Sequence, residues 1–183
     1  MSLKDLLIKN KHAILEKWFD IALGVYAEQG QTFFKKQKDR FANPVGHTTS
    51  EGIESIYDEL LKETESDKLP LFLENIMKIR AVQDFSASDA LSFIPGLKRI
   101  IREQLGSMLL QKEIAEEWAV FESKVDRLAL LGFDAYTNSR QRLFDSRVNE
   151  VRTRAARLLK MAGIGYDIPV EEKGVKNGKA DNA

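Results

Sequence analysis

The sequence lacks cysteine, long apolar runs, an excess of charge of either sign, and the alternating pattern of β-strands. Missing thiols exclude disulfides, cysteine nucleophiles, iron–sulfur clusters and thiolate zinc sites, and make a reducing compartment the simplest setting. A membrane-crossing helix needs about 20 apolar residues in succession, and no stretch here approaches that length. Met1 to Asn10 places Lys4, Asp5 and Lys9 inside a short apolar stretch, unlike the charged-then-apolar layout of a signal peptide. A cytoplasmic protein without membrane insertion is therefore expected. Basic and acidic residues number 28 each, which gives no general attraction to nucleic acid or anionic lipid. P-loops, Gly-rich dinucleotide turns, nucleophile elbows and metalloprotease motifs are all missing, and no enzymatic activity is expected.

What is present is an ordinary globular composition. The chain has 183 residues, 43% of them hydrophobic and 31% charged, which suits one domain able to bury a core without covalent staples. Apolar residues recur at three-and-four spacing almost throughout, so the expected fold is an all-α helical bundle of six or seven helices. Ile14, Leu15, Trp18, Ala22 and Val25 make one stripe, with Gly30 as its expected end; Phe33 and Phe34 begin a short basic helix or turn. Asn43 before Pro44 marks a helix start, followed by a buried face of Ile53, Ile56, Tyr57, Leu60 and Leu61. Ser66 and Asp67 with Pro70 open the next helix, whose stripe is Phe72, Leu73, Ile76, Met77 and Ile79 and whose end falls near Gln83. Ser86 to Asp89 approximates a capping box ahead of Ala90, Phe93, Ile94, Leu97 and Ile101, with a kink expected at Pro95 and Gly96. Ile114, Trp118, Phe121, Val125 and Leu128 form the next stripe, with a break at Gly132.

Beyond that glycine, Phe144, Val148, Val151, Ala155, Leu158 and Ala162 repeat in steps of four and three, a coiled-coil-like seam on an extended C-terminal helix at about 134–163. Continued by heptads, the preceding stripe would reach Arg142 and Asn149, so the two halves are expected to pack against different partners. Residues 1–163 are expected to form a single sensor-like domain, and 164–183 a flexible, Gly- and Lys-rich tail.

Few constellations could carry chemistry. His12 with Glu16 and His47 with Glu51 could together supply a mixed metal site, although both histidines read more simply as surface or capping residues. Arg40, Asn43, His47, Arg80, Gln83 and Asp84 are polar positions beside strong apolar ones and could line a ligand pocket; equally, Arg80 and Asp84 could be an i,i+4 ion pair at a helix end. Arg140, Arg142, Arg147, Arg152, Arg154, Arg157 and Lys160 outnumber Asp145 and Glu150, but no aromatics interleave to stack bases, so a solvated flank is expected rather than a nucleic-acid arm.

At Lys36 to Gly46, KQKDRFANPVG, and at Ile79 to Ser88, IRAVQDFSAS, the sequence resembles the N-terminal domain of RsbT co-antagonist proteins of the RsbRD type, over about Leu7 to Ala162. The resemblance implies a regulatory stressosome sensor: a globin-like module without haem that dimerises and passes a signal along a connecting helix into a STAS domain. Only a tail follows Ala162 here, so a free-standing module contacting an unknown protein partner is expected, with a small-molecule or metal-binding protein using the Arg40, His47 and Arg80 region as the alternative. A parallel homodimer through the seam alone would set Arg147 against Arg152 of the other chain, a repulsive pair, with Arg140 facing Asp145 as the one attractive contact, and the seam is under about three heptads long, so the dimer is expected to be built mainly by the helical domain. Asn75 to Lys98, where a globin's proximal histidine would fall, contains no histidine. Purified protein should accordingly show no Soret band; a stoichiometric band lost on substituting His12 or His47 would contradict the haem-free reading.

Overall fold

A computed structural model describes residues 1–37, 39–64 and 67–163. Among the described residues the chain forms eight α-helices and no strand: α1 (Leu3–Lys9), α2 (Lys11–Leu23), α3 (Glu28–Lys36), α4 (Pro44–Leu60), α5 (Leu69–Val82), α6 (Ala87–Leu91), α7 (Phe93–Leu105) and α8 (Lys112–Met161), with a 3₁₀ turn at Gly106–Leu110. The all-α expectation and its long C-terminal helix hold. The chain divides into two compact units, Met1–Gln141 and Arg142–Ala183, and α8 contributes to both. Among the described residues no helix is long and apolar enough to cross a membrane.

Local sequence fixes the helix starts in the first unit. Ser2 and Asp5 form a reciprocal capping box on α1, and the Asn43 side chain accepts from Gly46 N with Pro44 in the first turn of α4. Ser86 accepts from Asp89 N at the start of α6. The helices pack in the pairs α2 with α7 and α4, and α4 with α5. Their shared core holds Trp18, Tyr57, Phe93, Leu6, Leu7, Ile14, Leu23, Ile53, Ile56, Leu73 and Ile76, all fully buried. Each such large side chain contributes about 1.5–3 kcal/mol when removed from water. Two polar tips in this core are satisfied by backbone: Trp18 Nε1 donates to Phe93 O at 2.7 Å, and Tyr57 Oη to Leu7 O at 3.0 Å. Burial pushes the Tyr57 phenol well above its ordinary range, so it stays a donor.

The first part of α8 runs antiparallel to α7. Lys98 Nζ meets Asp126 at 2.5 Å, Arg102 meets Glu122, and Gly132 faces Ile94. Its buried stripe is the expected one, Ile114, Trp118, Phe121, Val125 and Leu128, and continues through Gly132 and Tyr136 to Ser139.

Several expected boundaries are corrected. The first stripe is not closed by Gly30, which lies inside α3; α2 stops at Leu23 with Gly24 as its C-cap. Asn10 separates α1 from α2, and Ser92 separates α6 from α7, so there are more helices than the stripes alone suggest. Pro95 causes no kink: it occupies the first turn of α7, where its missing N–H has no intrahelical acceptor to lose. Gly132 breaks nothing, because α8 passes through it and begins at Lys112 rather than near 134. Ser66 and the tail at 164–183 lie outside the described residues.

Gly132 is a point of close approach. A Cβ there would stand 2.8 Å from both Ile94 Cδ1 and Leu91 Cδ2. Gly132→Leu should therefore destabilise the fold by about 1–3 kcal/mol through overpacking, despite leucine's better helix propensity. Urea denaturation checks this; an unchanged midpoint would mean that the helices do not approach so closely.

Candidate functional site

The two strings that carry the family resemblance fold into joints between helices. In the first, Asn43 is buried and bonded on three sides: Nδ2 donates to Phe34 O and Gln37 O, both at 2.8 Å, while Oδ1 accepts from Gly46 N. It thus ties the end of α3 to the start of α4. Gly46 makes this possible, since a Cβ there would fall 2.4 Å from Asn43 Nδ2. Asp39 accepts from Phe41 N in the intervening turn, and Arg40 is exposed.

The second string builds a corner around Arg80. Its side chain is fully buried, 1% exposed, at the end of α5. Nη2 donates to Ala22 O at 2.7 Å, and Nη1 to Ala90 O at 2.7 Å and Asp89 O at 3.3 Å. These carbonyls lie in the last turns of α2 and α6, where helices leave oxygens unpaired and carry partial negative charge. The guanidinium also lies 4.6 Å from the centre of the Phe93 ring, an aromatic cation contact. Nε has no hydrogen-bond partner among the described residues. Burial draws the group down to about 10, opposed by Tyr26, so it remains charged at neutral pH.

An outer layer closes over this corner. Tyr26, just after α2, donates through Oη to Gln83 Oε1 at 2.6 Å and meets Phe34 and Phe85 edge-on at 4.9 and 5.2 Å. Its phenol is shifted upward by burial. Asp84 takes a left-handed backbone, φ 61°, which lets the chain turn from α5 towards α6. Two side chains of α8 grip that turn: Tyr136 donates to Phe85 O, and Arg140 donates to Ala81 O at 3.1 Å and pairs with Asp84.

The i,i+4 pairing of Arg80 with Asp84 is therefore replaced: Arg80 serves two helix ends, and Asp84 pairs across the turn with Arg140. His47 Nε2 lies 3.0 Å from Glu51 Oε1 on the surface of α4. His12 and Glu16 are exposed on α2. Among the described residues no three metal-ligating side chains come together. No hydrogen bond or ion pair joins Arg40, Asn43 or His47 to Arg80 or Asp84 among the described residues; the five positions belong to two separate joints. In the second unit Phe144, Val151 and Leu158 are exposed and Val148 and Ala155 half-buried.

Tyr26, Phe85, Tyr136 and Arg140 were not among the expected site residues. Carrying the α8 stripe through Gly132 would have reached Tyr136, one turn further on. Arg140 sits among other arginines, and nothing in the sequence distinguishes it.

An all-α bundle with a long C-terminal helix, in which buried Asn43 and Arg80 fasten helix ends, is the class this architecture defines. Within it, residues 12–151 match the RsbT co-antagonist protein rsbRD N-terminal domain, and the chain belongs to that family. No curated protein and no solved structure gives a significant match.

Replacing Arg80 tests the corner. Arg80→Met keeps much of the volume but strips the donor from the buried carbonyls of Ala22 and Ala90, and should cost about 3 kcal/mol; for a chain of this size that lowers Tm by about 6–12 °C. Arg80→Lys retains the charge but cannot span both helix ends, and should lose about half as much. Thermal and urea unfolding measure both; a methionine variant as stable as wild type would remove the corner's role.

Proposed function

We infer that the chain is a non-enzymatic sensory and regulatory module that acts by contacting other proteins in a stressosome-type pathway. The observation that supports this reading is the grip of α8 on the α5–α6 turn, in a chain of the RsbT co-antagonist family. A signalling module must couple its bundle to the element that leaves it, and Tyr136 and Arg140 hold that element by the same turn that Arg80 fastens from within. In this reading the pair with Arg140 favours the left-handed backbone of Asp84, and release of Arg140 lets the residue return to the commoner right-handed one.

Sensing then consists of shifting the balance between a gripped and a released turn, and the output is a changed presentation of α8 to a partner. The module works in the cytoplasm as a homodimer built mainly by the helical bundle, where Leu130 and Phe133 stand exposed on α8. No haem, metal or nucleic acid takes part.

The test mixes the purified chain with STAS-bearing RsbT co-antagonists from the same cells and follows sedimentation. Entry into a common assembly is expected, and Asp84→Ala, which removes Arg140's partner, should change the assembled fraction several-fold while leaving the fold intact by circular dichroism. If the chain stays apart, and a small-molecule screen instead raises Tm by about 5–10 °C, as saturating ligand would for a protein of this size, the reading as a protein-contact module falls to one as a ligand-binding protein.

A further inference from the structure

A cavity of about 210 Å³ opens in the first unit between the end of α4, the start of α5 and the middle of α8. Its apolar lining comes from Leu60, Leu69, Pro70, Leu128 and Leu131, of which Leu60 and Leu128 are buried. A cavity of about 150 Å³ holds benzene, so there is room here for an apolar body of about six or seven carbons. Volume and apolar walls admit many occupants, and a charged group in the wall narrows them.

That group is Glu59, whose side chain lines the cavity and is 8% exposed. A carboxylate is seldom buried unless it is paired, and Glu59 Oε1 takes the ammonium of Lys62, three residues on, at 2.7 Å. The Lys62 side chain is 53% exposed and forms no part of the cavity lining. The other charges of the lining are engaged elsewhere or lie in water. Lys124 Nζ donates to Leu60 O at 3.3 Å and to Lys62 O at 2.6 Å, where the end of α4 leaves carbonyls open. Asp67 and Arg127 are exposed and opposite in sign, so their pull on an occupant is screened and largely cancels. The buried carboxylate therefore sets the charge that an occupant must carry.

We propose that this cavity binds a small primary amine, whose ammonium replaces Lys62 on Glu59 and whose apolar body lies against Leu60, Leu69, Leu128 and Leu131. Exchanging one ammonium for another keeps Glu59 neutralised. Lys62 loses little on release, because its head already stands half in water, and burial of the apolar body supplies the net gain. A neutral molecule of the same size gains only the apolar part, and an anion meets the carboxylate. The inference goes beyond the reading of the chain as a protein-contact module. It also places the amine near the gripped turn: Leu131 lies five residues before Tyr136 on α8, about 7.5 Å along the helix.

The test titrates the full chain at neutral pH with hexylamine, hexanol, hexanoate and methylamine, following leucine methyl resonances and Tm. Hexylamine should give saturable shifts at Leu128 and Leu131 and raise Tm by about 3–6 °C at about ten times its Kd. Hexanol and methylamine each lack one half of the contact and should bind at least about tenfold more weakly; hexanoate should not bind. Glu59→Gln should weaken hexylamine at least about tenfold. Lys62→Met removes the competing ammonium and should tighten hexylamine about threefold, a gain that a merely structural ion pair would not produce. Leu131→Trp should fill the cavity and remove binding with helix content unchanged. Hexanol or hexanoate binding as tightly as hexylamine, unchanged or weaker binding in Lys62→Met, or no saturable shift with hexylamine would overturn the proposal. If Glu59→Gln does not fold, the lysine and tryptophan variants still decide. Binding is read on the chain alone, so its failure leaves the co-antagonist assembly standing, and failure of the assembly leaves the amine site standing.

Discussion

One buried cation holds the first unit together. Arg80 sits at the end of α5 without a carboxylate, and a charge taken out of water is costly unless something replaces its hydration. Here the replacement is backbone: carbonyls of Ala22, Asp89 and Ala90, and the face of Phe93. The arrangement solves two problems at once, since the carbonyls of Ala22 and Ala90, at the ends of α2 and α6, would otherwise be buried and unpaired. Ala22 and Ala90, whose carbonyls the guanidinium reaches, are fully buried. α6, with five residues, is far too short to be stable alone; its place depends on Arg80 and on the Ser86 cap.

The same turn faces outward to α8. Asp84 adopts a backbone that few non-glycine residues take, and Arg140 pairs with it. Tyr26 and Tyr136 add hydrogen bonds from α2's end and from α8, so that three elements meet at Gln83, Asp84 and Phe85. The string IRAVQDFSAS is therefore a joint: an inward anchor, a polar turn and a cap in consecutive positions. KQKDRFANPVG is its counterpart between α3 and α4, with Asn43 as the fastener. Both strings fix backbone geometry at helix ends.

The helices were legible because their stripes are long and regular. Trp18, Ile56, Ile76, Leu97 and Val125 were all placed in the core by spacing alone. Asn43 was legible as a cap, yet its bonds to Phe34 O and Gln37 O were not, because they depend on where α3 ends. Gly132 was misread for a physical reason: glycine in a helix pattern signals either a break or a close approach, and only the packing of Ile94 and Leu91 decides between them. Arg80 was misread because arginine is so seldom fully buried, which made a surface pair with Asp84 the simpler expectation. The core stripe of α8 stops at Ser139, and Phe144, Val151 and Leu158 are exposed.

Native-state hydrogen exchange on the unmodified protein tests the role of Arg80 most directly. The Ala90 amide bonds to Ser86 O at 2.9 Å inside a five-residue helix, and on local stability alone it would exchange almost as fast as in an unfolded chain. If Arg80 fastens α6 to the ends of α2 and α5, that amide opens only with the whole unit, and its protection will match that of Ile101 in the middle of α7. Protection of Ala90 lower than that of Ile101 by several orders of magnitude would show that α6 opens by itself, and that the corner does not depend on the buried guanidinium.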